Sequence, residues 1–152
     1  MSIITSKILV PIGFSDQSMV ALGQAFNLAK IKKCEIVLLS VIEEQNMIQS
    51  LFLDDNSHEL QQKVKGKLEG IASEYSVKYG VDVDTMVAKG KIYEQINDVA
   101  EMITADLIVM GTNGTNGGMR KLIGSNAERV VRLAHCPVIT IKGKNHRDGC
   151  EN

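Results

Sequence analysis

Apolar residues fall into two kinds of run along this chain. Some are short, nearly unbroken blocks; others are longer stretches in which apolar positions recur every three or four residues. The first block, Lys7-Ile-Leu-Val-Pro-Ile12, predicts a buried strand, and Pro11, which brings no N–H, limits further pairing near its end. Ser15 or Asp16 then offers a cap for a helix whose apolar face is Leu22, Ala25, Phe26 and Ala29. Glu35 to Ile42 is a second block, apolar almost throughout, as expected of a strand covered on both faces. Asn56 with Glu59 makes a capping-box-like start, and Leu60, Val64, Leu68, Ile71 and Tyr75 line one face of a second helix that stops before Gly80. Between them, Met47, Ile48, Leu51, Phe52 and Leu53 fit either a short amphipathic turn or a flap over a ligand.

The second half repeats the alternation. Val81 to Val87 alternates apolar with polar, which predicts a less covered strand near a sheet edge. Gly90 punctuates, and Ile92, Ile96, Val99, Ala100 and Ile103 mark a third helix. Asp106 to Met110 is the fourth strand, Ala127, Val130, Val131 and Ala134 mark a fourth helix, and Pro137 to Ile141 is the last strand. Strand and helix alternating throughout predict an α/β fold: an open parallel five-stranded sheet with helices on both faces. The expected domain is 1–142, with 143–152 a polar, disordered tail. In such sheets ligands lie beyond the carboxyl ends of the strands, where the strand order reverses.

Composition narrows the function. The chain has 152 residues, 44% apolar and 23% charged, with a formal net charge of -1. That suits one soluble domain and disfavours a nucleic-acid partner, which calls for a basic excess. No apolar run approaches the roughly 20 residues of a membrane span, and the beginning of the chain has no signal-peptide pattern. The expected compartment is the cytoplasm. Cys34, Cys136 and Cys150, like His58, His135 and His146, are widely scattered. They predict neither a disulfide framework nor a metal site. No catalytic constellation stands out.

The chemistry is concentrated after the fourth strand, in Gly111-Thr-Asn-Gly114, nine further residues, Gly124 and Ser125. A buried strand that runs into a glycine-rich loop and then a helix start is the construction of a phosphate cradle. Glycines let the backbone approach a ligand, and unpaired N–H groups at the helix start face the anion. A flexible connection without a ligand is the competing reading. Arg120 and Lys121 fit phosphate contacts or solvated surface equally, Arg129 and Arg132 lie off the apolar helix face, and Asp16 suits the dipole of the first helix.

These residues resemble the universal stress protein family over nearly the whole chain, Lys7 to Lys142. The resemblance rests on the spaced glycine signature, the opening Lys-Ile-Leu-Val-Pro with Phe14-Ser15, the Leu-Leu-Ser-Val-Ile strand, the run from Ala105 to Thr112, and Cys136-Pro-Val. It implies a Rossmann-like sheet of strand order 3-2-1-4-5, of the adenine nucleotide alpha hydrolase type. It also implies an adenine nucleotide as ligand, ATP foremost with ADP or AMP as alternatives, with magnesium held through the phosphates. Phosphates would face the backbone N–H groups of Gly111, Gly114, Gly124 and Ser125. Val41 would offer backbone groups to the adenine edge, and Pro11 and Met110 apolar walls. A homodimer through Val138 to Ile141 is implied, with a protein partner unidentified. Position 13 departs from the pattern. ATP-binding relatives often carry an aspartate there for the ribose or a metal; this chain has Gly13. Losing one charge-assisted hydrogen bond costs roughly 1.5–3 kcal/mol, or about one to two decades in affinity. A dimeric adaptor that binds no nucleotide, and a slow ATPase, therefore stand as alternatives to a regulatory nucleotide-binding module.

Overall fold

A computed structural model describes residues 6–13, 16–43, 57–112 and 124–142. Among these residues five strands alternate with four helices: β1 (Lys7–Pro11), α1 (Asp16–Lys32), β2 (Glu35–Glu43), α2 (Ser57–Tyr79), β3 (Val83–Gly90), α3 (Ile92–Met102), β4 (Leu107–Gly111), α4 (Ser125–Leu133) and β5 (Val138–Ile141). All strand pairs are parallel, and their order is β3-β2-β1-β4-β5, as expected. The order reverses between β1 and β4, so the crevice predicted for a ligand opens there.

The alternation of side chains along each strand builds two cores, one on each face of the sheet. On one face Ile8, Val10, Ile36, Leu38 and Val109 pack beneath α1 and α2, with Leu22, Ala25, Phe26, Ala29 and Leu68 fully enclosed. Phe26 lies 5.1 Å from the Tyr75 ring and 5.2 Å from the Tyr79 ring, which locks α1 to α2 through aromatic contact. On the other face Leu9, Val37, Leu39, Ile108 and Met110 pack beneath α3 and α4, against Ile96, Val99, Ala100, Ala127 and Val130.

Several boundaries differ from the sequence reading for identifiable reasons. β3 runs on to Gly90 because the long β2 supplies partners as far as Glu43, which pairs with Gly90. Ala88 and Lys89 show no apolar alternation, so that extension was hidden in the sequence. Asp106 does not begin β4. Its carboxylate accepts the N–H of Lys7 at 2.9 Å and its own N–H donates to the Lys7 carbonyl at 2.9 Å, so it fixes the entry to β1. Val131, read as part of the buried face of the last helix, is 47% exposed; only Ala127 and Val130 of α4 are buried.

Two glycines hold backbone that other residues resist. Gly80, with φ +67°, ends α2 and donates to the Ser76 carbonyl, a left-handed C-terminal stop. Gly90 has φ +138°, and a Cβ there would stand 3.1 Å from the Gln95 side-chain nitrogen. This turn sends the chain from β3 straight into α3. The proposed helix cap at Ser15, the 43–55 segment from Glu44 onward, Asn56, and the tail from Gly143 lie outside the described residues.

Candidate functional site

The ladder ends before the strands do. β1 pairs with β4 only at Ile8 and Leu9, and Pro11 has no N–H to carry that ladder on. On its other side β1 stops at Pro11, opposite Leu39, whereas β2 continues to Glu43. The last contact is the Ile12 N–H donating to the Leu39 carbonyl at 2.7 Å. In a parallel strand the N–H and C=O of one residue point to the same side, and alternate residues share a side. Leu39 faces β1, so Val41 does too, and its backbone groups look to the β1 side beyond Pro11. On its β3 side β2 stays paired, with Val41 in register with Ala88.

Side chains at this end share a face. Met110 is buried in the core beneath α3 and α4, and Val41 packs against that core. Pro11, two residues after Leu9, falls on the same face and is half-buried. Three apolar side chains at the carboxyl ends of β2, β1 and β4 thus line one side of the reversal point. Gly13, just beyond, is exposed, and its N–H donates to Ser18 Oγ at 3.1 Å. A Cβ at Gly13 would meet nothing nearer than that oxygen, at 3.8 Å.

The helix start supplies donors. Glu128 N–H bonds the Gly124 carbonyl, making this the first intrahelical bond of α4, and no side chain caps the helix at Gly124. The N–H groups of Ser125, Asn126 and Ala127 therefore lack intrahelical partners, and the helix dipole adds positive potential there. One amide given to the ligand by the resemblance is otherwise engaged: Gly124 N–H donates to the Thr112 carbonyl. That bond ties the start of α4 to the end of β4, so the N–H groups without a partner within the helix begin one residue later. Gly111 ends β4, half-buried and in register with Ile141. Gly114, Arg120 and Lys121 lie outside the described residues.

Arg129 is exposed, as read from the sequence, and also lies over the Tyr93 ring at 5.0 Å, joining α4 to α3. Arg132 pairs with Glu128 at 3.5 Å on the surface. Cys34 and Cys136 precede β2 and β5, at the amino ends of the strands, opposite the end that carries the candidate site. Burial pushes both thiols above their ordinary value, and the Asp106 carboxylate adds to it; at neutral pH they stay protonated and poorly nucleophilic. Among the described residues no three His, Cys, Asp or Glu side chains are grouped to hold a metal ion.

Sequence reasoning passed over two side chains. Among the described residues, the buried side-chain polar atoms without a hydrogen-bond partner are both amide atoms of Asn97 and the hydroxyl of Thr112. Neither could be found from spacing, because burial of a polar group is decided by what packs over it.

Comparison with known proteins agrees with this architecture. The model of the universal stress protein family matches residues 5–142. The chain belongs to the universal stress protein family. Universal stress protein MJ0531 of Methanocaldococcus jannaschii is 35% identical, over 90% of this chain and 81% of its own. The solved structure of MJ0577 superposes with a TM-score of 0.83 at 30% identity, covering 94% of this chain and 99% of that one. MJ0577 is a universal stress protein of the same organism. The structure of a universal stress protein from Archaeoglobus fulgidus in complex with dAMP shares the fold, with a TM-score of 0.64 at 20% identity over 93% of this chain and all of that one.

Proposed function

We propose that this universal stress protein binds an adenine nucleotide, ATP foremost, and acts as a regulatory module in a stress response, with at most weak hydrolysis. The observation that carries this reading is the placement of Pro11, Val41 and Met110 on one face of the β1–β4 crevice, beside the uncapped start of α4. Adenine needs a flat apolar slot with a few backbone hydrogen bonds. The three side chains supply the slot and the inward-facing N–H and C=O of Val41 supply the bonds. Phosphates sit against the N–H groups that open α4 and the Ser125 hydroxyl. Magnesium arrives on the phosphates. The Archaeoglobus relative held with dAMP supports an adenine nucleotide as the ligand class.

The partner we propose is a second copy. β5 is an edge strand, Val138 to Ile141, and Ile139 on it and Val131 on α4 are exposed. Pairing edge to edge would satisfy the unpaired backbone groups and cover these side chains. No described helix is long and apolar enough to cross a membrane, which agrees with a cytoplasmic place.

Isothermal titration with ATP, ADP and AMP, each with magnesium, tests the ligand. Saturable heat is expected, strongest with ATP; heats of dilution alone for all three overturn the reading. Gly13 favours a second reading, a dimeric adaptor without nucleotide, because no carboxylate stands at the end of β1. Mass spectrometry of gently denatured protein separates the two: a co-purified adenine nucleotide supports the first, and its absence together with silent titrations supports the second.

A further inference from the structure

Thr112 is a buried polar residue of unusual standing. It is 7% exposed, its hydroxyl is sealed from solvent, and that hydroxyl has no hydrogen-bond partner. Its backbone, by contrast, is held on both sides. The N–H donates to the Ile141 carbonyl at 3.0 Å, and the carbonyl accepts from the Gly124 N–H. The residue is thus a clamp joining β4, β5 and the start of α4. Following Ile108 and Met110 at intervals of two, it falls on the sheet face that packs beneath α3 and α4.

Leaving a hydroxyl buried and unpaired is costly, and replacing it with a methyl group of the same shape removes that cost. Valine would fill this position equally well and would suit a strand end. A threonine held here by its own backbone, hydrogen-bonded to the residue that precedes α4, whose first three N–H groups have no partner within the helix, suits a state in which the hydroxyl gains an acceptor. An anionic oxygen seated on those N–H groups is such an acceptor. We propose that Thr112 is a ligand-binding residue, its hydroxyl donating to a phosphate oxygen of the nucleotide bound at the start of α4. This deepens the nucleotide reading and rests on it. The backbone bonds on both sides hold the residue in place, and the enclosed hydroxyl is uncovered when the phosphate binds.

The test compares wild type, Thr112→Val and Thr112→Ser by two measurements: unfolding in urea without ligand, and titration with magnesium ATP and with tripolyphosphate. Thr112→Val should unfold at the same or a higher urea concentration than wild type, yet bind ATP about tenfold more weakly, as expected for a lost hydrogen bond to a charged group. Thr112→Ser, which keeps the hydroxyl, should bind close to wild type. Equal ATP affinity in all three proteins overturns the role of Thr112 and leaves the nucleotide reading intact; a hydroxyl served only by internal water gives this result. A Thr112→Val protein that loses affinity and also unfolds at lower urea overturns it as well, since the hydroxyl then serves the fold. If tripolyphosphate binds with the Thr112 dependence and ATP binds no better, the phosphate role stands and the adenine reading falls. If wild type takes neither probe, both fall.

Discussion

Gly90 is the residue on which the geometry of one helix start depends. Its φ of +138° lies where side chains other than hydrogen are strained, and a Cβ would press on Gln95 at 3.1 Å. Gly90→Ala should therefore destabilise the protein by about 1–3 kcal/mol, measured as a shift in the urea unfolding midpoint; an unchanged midpoint would contradict the strain. The sequence marks Gly90 as punctuation but not as an obligate conformation. Gly13 is the opposite case. Its backbone is not in the left-handed region, and among the described residues a Cβ there would meet only Ser18 Oγ, at 3.8 Å, so its importance lies in the carboxylate it does not bring. The sequence made that departure legible, because it shows at a single position of an otherwise matching motif.

Between elements, the contact of α3 with α4 carries a defect. Tyr93 and Arg129 join the two helices, yet Asn97, one turn further along α3, has both amide atoms buried without partners. Asn97→Leu keeps the size, removes the unpaired groups and should stabilise the fold by about 1–3 kcal/mol. Chemical denaturation checks this, and a loss of stability would mean that the amide has a partner in solution. The helices themselves were legible: the apolar positions named from periodicity in α1 and α3 lie in the two cores, as do Leu68, Ile71 and Tyr75 of α2, whereas Leu60 and Val64 are only half-buried. Val131 in α4 was misassigned because α4 has only 9 residues. Over so short a helix two adjacent valines satisfy the same period, and only packing separates buried Val130 from exposed Val131.

For the whole molecule, the open edge at β5 is the feature with the largest consequence. Four apolar or β-branched residues, Val-Ile-Thr-Ile, form a strand that has a neighbour on one side only among the described strands. Such an edge invites pairing with a second chain. Ile139→Lys places a charge on that edge at a side chain already 40% exposed, so it should leave the fold intact and convert the proposed dimer to a monomer in sedimentation velocity. A wild-type protein that sediments as a monomer at high concentration would remove the dimer itself.

The sequence by itself determined the class of fold, since strand-length apolar blocks alternating with helical periodicity admit a parallel sheet covered on both faces and little else. It also placed the candidate phosphate seat after the fourth strand, because glycine spacing is a local property. Tertiary structure decided what lies beside that seat. That β1 stops short of β2 with the Val41 backbone turned to the β1 side, that Gly124 gives its amide to Thr112, and that the Thr112 hydroxyl is sealed without a partner all depend on register and burial. These are set by contacts between residues far apart in the chain, and no local pattern encodes them.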